Sequence, residues 1–192
     1  MRNVFSRRDF LKASAAAVLA ASAAGVLTGC DGGGSEIPSA TIGLGEFEVT
    51  MTADMGRDSK EDFGQNNLFY IYIPKVKIKY NGNGAIAIPF KDAFTAQITE
   101  KEVKPRNGSA LIKSVDIPLG NTATYQPEFV FTVAEDGAFS KTVVPQFKAS
   151  VSDYETFNKG TPFKLYVTLQ GKNAEFALTS DGKVTVSAVD KV

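Results

Sequence analysis

Residues 41–192 predict an all-β domain, an antiparallel β-sandwich of about eight to ten strands. Three observations carry that expectation. Apolar and polar residues alternate with a period of two in several separate runs, the mark of strands with one face on a core and one in water. Asn-Gly and Asp-Gly pairs, which tolerate the positive φ of tight hairpin turns, stand between such runs, and turn signals taken together are spaced mostly about ten to fifteen residues apart. No helical period outlasts a turn or two, except a possible one over Arg57 to Phe63, so the crossover helices of a parallel sheet have no place to form.

The chain begins with a different kind of segment. Ser6-Arg-Arg-Asp-Phe-Leu-Lys12 is followed by an uncharged, alanine-rich run from Ala13 to Leu27, and then by Leu27-Thr-Gly-Cys30. A basic start, a short apolar run and small residues ahead of a cut site make a signal peptide. The run is too short and too weakly apolar for a membrane span, which needs about 20 strongly apolar residues. The first string resembles the twin-arginine export signal S-R-R-x-F-L-K, with Arg7, Arg8, Phe10 and Leu11 at its specified positions. The second resembles a lipobox. That resemblance implies acylation of the Cys30 thiol and cleavage before it, so that residues 1–29 are a signal peptide and Cys30 becomes a lipidated N-terminus. Two or three acyl chains at ~0.8 kcal/mol per buried methylene hold such a terminus stably in a bilayer. The expected location is therefore the extracytoplasmic face of the cell membrane, reached by the twin-arginine route.

Residues 30–40, with Gly32-Gly-Gly34, read as a flexible tether, and the domain follows. Phe47, Val49 and Met51 alternate with glutamates and threonines. Leu68 to Ile73 is apolar on both faces and so is expected in a sheet's centre, with Pro74 marking a bulge or an edge gap because it has no N–H to donate. Val76, Ile78 and Tyr80 alternate with Lys75, Lys77 and Lys79, which read as a solvated face, and Asn81-Gly-Asn-Gly84 then predicts a hairpin turn into Ala85–Ile88. Phe94, Ala96 and Ile98 form another half-buried run. At the C-terminus, Phe163–Leu169, Ala174–Leu178 and Val184–Ala188 predict a three-stranded meander joined by turns at Gly171-Lys-Asn173 and Ser180-Asp-Gly182.

The segment Val76 to Ile88, an alternating strand followed by Asn/Gly and a second strand, resembles a hairpin of the immunoglobulin-like domains borne by many bacterial lipoproteins. The resemblance implies a sandwich and transfers no functional residue. The Cys–Trp–Cys core of antibody domains has no counterpart, since the chain has no Trp and its single Cys is Cys30.

Composition narrows the function. Removing Arg2, Arg7, Arg8, Lys12 and Asp9 with the signal leaves 17 basic and 20 acidic residues, with no cationic excess for nucleic acid. Histidine is absent, which removes Ser-His-Asp and Cys-His catalysis and the commonest metal ligand. No cofactor is expected. Asp54, Asp58, Glu61 and Asp62, with Asn66 and Asn67, lie in the one polar stretch that resists the strand reading, Ala53–Asn67. Their oxygens suit Ca²⁺, yet the spacing differs from the D-x-[DN]-x-[DN]-G loop, and Arg57 and Lys60 offset the charge, so a solvated loop is expected. Glu46 and Glu48 share a strand face in this reading, a weak basis for carboxylate catalysis. The expected function is that of a monomeric, non-catalytic module, tethered to the membrane through Cys30, that binds a protein or carbohydrate. The alternative is an accessory subunit or chaperone of another exported complex, such as a respiratory enzyme.

Overall fold

Sixteen antiparallel strands and two short helices make up the described part of the chain, residues 37–62, 67–99, 101–106, 110–114, 124–131 and 139–190 of a computed structural model. These residues all belong to the second of two compact units, Gly34–Val192. The all-β antiparallel class matches the sequence. The strand number exceeds eight to ten because strands also form in segments expected as tether and loop, Ser39–Leu44 and Gly56–Asp62, and in short lengths between residues 101 and 150.

The strands are β1 (Ser39–Leu44), β2 (Phe47–Thr52), β3 (Gly56–Asp62), β4 (Asn67–Ile73), β5 (Val76–Tyr80) and β6 (Ile86–Pro89). After helix α1 (Phe90–Ala93) come β7 (Phe94–Ile98), β8 (Lys101–Val103), β9 (Ala110–Ser114), β10 (Thr124–Gln126), β11 (Glu128–Phe131), β12 (Phe139–Val143) and β13 (Phe147–Ser150). Helix α2 (Val151–Asn158) precedes β14 (Phe163–Leu169), β15 (Lys172–Leu178) and β16 (Val184–Val189). They assemble in four ladders: β1-β2-β5-β12-β9-β10, β16-β15-β14-β7-β8, β13-β4-β3 and the pair β11-β6. One continuous cluster of buried side chains draws on all four, so the ladders are layered around a single core.

Aromatic rings carry that core from layer to layer. Phe47 and Tyr80 of the six-stranded sheet meet Phe131 of the β11-β6 pair at 5.8 Å each, and Phe131 meets Phe129 edge-on at 5.7 Å. Phe129 then reaches Phe94 of the five-stranded sheet at 6.1 Å. Tyr72 of β4 packs edge-on against Phe163 of β14 at 5.4 Å, tying the three-stranded sheet to the same layer. Such pairs add ~0.5–1.5 kcal/mol each beyond the area they bury.

Local chemistry explains the tight connections. Gly45 (φ 65) opens the two-residue turn between β1 and β2, as a type II′ turn requires. Gln170 (φ 50) and Gly171 (φ 71) form the two-residue β14–β15 turn, both left-handed as in type I′. Lys172 and Asn173, expected in that turn, belong to β15 instead. Helix α2 begins with a capping box: the Ser150 hydroxyl accepts from the Asp153 N–H, and the Asp153 carboxylate accepts from the Ser150 N–H.

Three further expectations are corrected. Strand β1 begins at Ser39, inside the expected tether, because Ser39 and Ala40 already pair with Thr52 and Met51. Strands β5 and β6 form no hairpin. A type I′ turn needs two successive positive φ values, and of Asn81–Gly84 only Gly84 has one (φ 94). The chain instead climbs from the six-stranded sheet to pair β6 with β11, which removes the hairpin on which the immunoglobulin-like resemblance stood. Within the polar stretch expected as a loop, or as a helix over Arg57 to Phe63, residues 63–66 lie outside the described residues and Gly56–Asp62 is strand β3, running from Gly56 opposite Ile73 to Asp62 opposite Asn67. Its sequence Gly-Arg-Asp-Ser-Lys-Glu-Asp has little strand propensity, but apolar β4 presents a ladder that needs a partner on each side, and this demand prevails. A charged edge strand also resists further pairing.

Strand β4 does run centrally, between β13 and β3. One face carries Tyr72 into the core and Tyr70 against Tyr154 of α2, rings stacked at 3.9 Å. On the other, Phe69 lies beneath the Lys148 ammonium at 4.2 Å and the Arg106 guanidinium at 5.8 Å.

Candidate functional site

The residues singled out for export and lipidation, Arg7, Arg8, Phe10, Leu11 and Cys30, lie outside the described residues. Among the described ones, the carboxylates of the polar stretch are dispersed. Asp54 is on the surface, paired with Lys75, and Asp58 lies within β3 opposite Ile71. Glu61 and Asp62 also fall in β3, and Asn67 opens β4, while Asn66 lies outside the described residues. No group of three or more metal-ligating side chains occurs among the described residues. A backbone extended in a paired strand presents alternate side chains to opposite faces, which is poor geometry for collecting oxygens on one ion.

Glu46 and Glu48 are likewise separated. Glu48 sits in β2 opposite Lys79, whereas Glu46 occupies the β1–β2 turn. There it joins groups from two other connections. Asn81 donates its N–H to the Glu46 carbonyl at 2.8 Å, and Gln170 Nε2 reaches Glu46 Oε2 at 3.4 Å. The Tyr80 hydroxyl donates to the Asn83 carbonyl at 3.4 Å. Burial, and then the Glu46 carboxylate, push that hydroxyl above its ordinary value. Beside this cluster a groove of about 230 Å³ runs between β6, Asp92 and the Thr168–Gln170 end of β14. Three sequence-distant turns thus meet at one end of the layered sheets. Sequence reasoning missed the arrangement, because nothing local links Glu46 to Gln170.

It also missed an inward lysine. Lys141 stands opposite Ile78, which stands opposite Val49, so all three point to the core side of the six-stranded sheet. Its ammonium lies 5.5 Å from the Phe131 ring centroid, and burial lowers its affinity for the proton. The alternation Phe139-Ser-Lys-Thr-Val143 held that signal, since Lys141 shares a parity with two apolar residues.

A second polar locus lies where α2 meets β4 and the β7–β8 turn. Burial and the nearby Asp153 carboxylate push the Tyr72 hydroxyl up to about 12 against the opposing pull of Arg57. Burial works to raise the Asp153 carboxyl, but hydrogen bonds from the Ser150 N–H and hydroxyl and from the Thr99 hydroxyl outweigh it and hold the group below its ordinary value.

Comparison with known proteins places one feature. The family described as the TAT (twin-arginine translocation) pathway signal sequence matches residues 4–29. The chain carries a twin-arginine export signal. Such a signal directs export across the cytoplasmic membrane, and the match ends at the residue before Cys30. No curated protein and no solved structure matches the chain. Among the described residues, no helix is long and apolar enough to cross a membrane.

Proposed function

We propose that this twin-arginine-exported protein is a lipoprotein, anchored through Cys30 to the outer side of the membrane, whose β-domain is a non-catalytic module that captures a protein or carbohydrate. The observation that carries the reading is the junction at residues 27–30. The export signal ends at Gly29, and Leu27-Thr-Gly-Cys30 follows lipobox order with the chain's single cysteine in the acylated position. From Cys30 to the first residue of β1, Ser39, the chain reaches at most roughly 30 Å, at ~3.3–3.6 Å per residue, so the domain works close to the bilayer.

The contact surface proposed is the end of the domain where the turn holding Glu46, the Asn81–Gly84 connection and the Gln170-Gly171 turn border the groove along β6. Loops carry variable chemistry because sheet faces are committed to packing. The Ala53–Asn67 stretch takes no part in it, because its Gly56–Asp62 portion is paired as β3. The immunoglobulin-like resemblance takes no part in the proposal.

Metabolic labelling with a fatty-acid analogue tests the anchor. The wild-type protein takes the label, and Cys30→Ser does not. Equal labelling of the two would end the lipoprotein reading. Purification from membranes with the anchor intact then identifies what is captured, and co-purification of an exported enzyme would favour an accessory subunit instead.

A further inference from the structure

Tyr72 is fully buried, with 0 % of its surface exposed, and its hydroxyl has no hydrogen-bond partner among the described residues. A buried hydroxyl left unbonded is costly, and most such groups in native proteins are satisfied by protein or by water. Tyr72 lines a cavity of about 10 Å³ together with Ile98, Thr99, Asp153, Phe157 and Phe163, with Thr161 and Pro162 at its margin. That is about the volume needed for one water molecule. The polar groups around it suit one. Thr99 Oγ1 stands 2.6 Å from the Ile98 carbonyl and 2.8 Å from Asp153 Oδ1, while Asp153 Oδ2 is taken up by the Ser150 capping box. Asp153 Oδ1, with one hydrogen bond from Thr99, therefore keeps acceptor capacity. Thr99 holds φ 58, a left-handed conformation a β-branched residue rarely adopts, so the surrounding structure imposes the geometry of this corner.

We infer that this cavity is a binding site for a single structural water, which accepts a hydrogen bond from the Tyr72 hydroxyl and donates one to Asp153 Oδ1. The water joins the central strand β4 to Asp153 in the first turn of α2 and, through Thr99, to the β7–β8 turn. It supplies the polar link that the phenol cannot make directly, and it rests on none of the assumptions about anchoring or capture.

The test is Tyr72→Phe in the full chain, read by thermal unfolding. The substitution keeps the ring and its edge contact with Phe163, so folding is preserved. Losing a hydroxyl that is bonded to water lowers the melting temperature by about 2–4 °C, whereas removing an unbonded buried hydroxyl leaves it unchanged or raises it. A high-resolution crystal structure gives the second readout. Density for a water within about 3.2 Å of Tyr72 Oη supports the site. A dry cavity, or a Phe variant as stable as the wild type, overturns it.

Discussion

Replacing Gly82 with alanine tests the account of how the chain passes from β5 to β6. A Cβ at this position would lie 2.5 Å from Tyr80 Cζ and Oη and 2.6 Å from Glu46 Cδ, distances that real Cβ atoms do not show. Glu46 is exposed and can swing away. Tyr80 cannot, because its ring is only 4 % exposed and is packed against Phe47 at 5.0 Å and Phe131 at 5.8 Å. Either the ring leaves its site or the connection lifts off it, so the substitution resembles core overpacking, which costs about 1–3 kcal/mol. In a folded region of this size ~1 kcal/mol moves the midpoint by ~2–4 °C, so thermal unfolding followed by circular dichroism should show a fall of about 2–12 °C. Gly43→Ala is the control, since a Cβ there meets nothing within 4 Å and the residue has no positive φ. It should stay within about 0.5 kcal/mol of wild type. Equal midpoints for the two variants would refute the close approach of Gly82 to Tyr80, and with it the reason the Asn-Gly pairs fail to make a hairpin.

Two other outcomes follow from the sequence and the helix cap. Replacing both Arg7 and Arg8 with lysine should trap the precursor inside the cell, measured as loss of the processed form from membranes, and unimpaired export would mean that another route is used. Because the folded state holds Asp153 below its ordinary value of 3.8, its contribution is fully present above that pH and is lost as pH falls through the lower folded-state value. Asp153→Asn should therefore cost about 1 kcal/mol at pH 7 through the weakened cap and flatten the acid side of the stability profile, and an unchanged acid limb in the variant would contradict the assignment.

Much of the fold was legible because the period of two is local. Phe47, Val49 and Met51, the Val76-Ile78-Tyr80 run and the first two strands of the C-terminal meander are buried where alternation placed them, since a strand's side chains have only two faces to choose between. In the third strand of the meander Val184 and Val186 are half-buried and Ala188 is exposed. Helix α2 went unread, because its two turns have too little apolar periodicity, and the structure shows its Ser150–Asp153 capping box. What alternation does not carry is partnership. The Gly56–Asp62 segment looked like solvated loop because its own residues favour no strand, and only the apolar β4 beside it supplies the reason to pair. Asn81–Gly84 looked like a hairpin because Asn-Gly permits one, yet the Tyr80 ring beneath Gly82 and the Glu46 carbonyl accepting from Asn81 lead the chain to a different sheet.

Taken alone, the sequence determined the protein's export, the antiparallel all-β class, and the exclusion of histidine- and thiol-based chemistry from the domain, because each depends on residue identity or near-neighbour order. The tertiary structure alone decided which strands are neighbours, that Glu46 meets Gln170 across 124 positions of chain, that Lys141 faces the core, and that Tyr72 and Asp153 share a cavity. Those depend on the sum of long-range packing energies, in which a buried ring or an unpaired ladder outweighs the preference of any single segment.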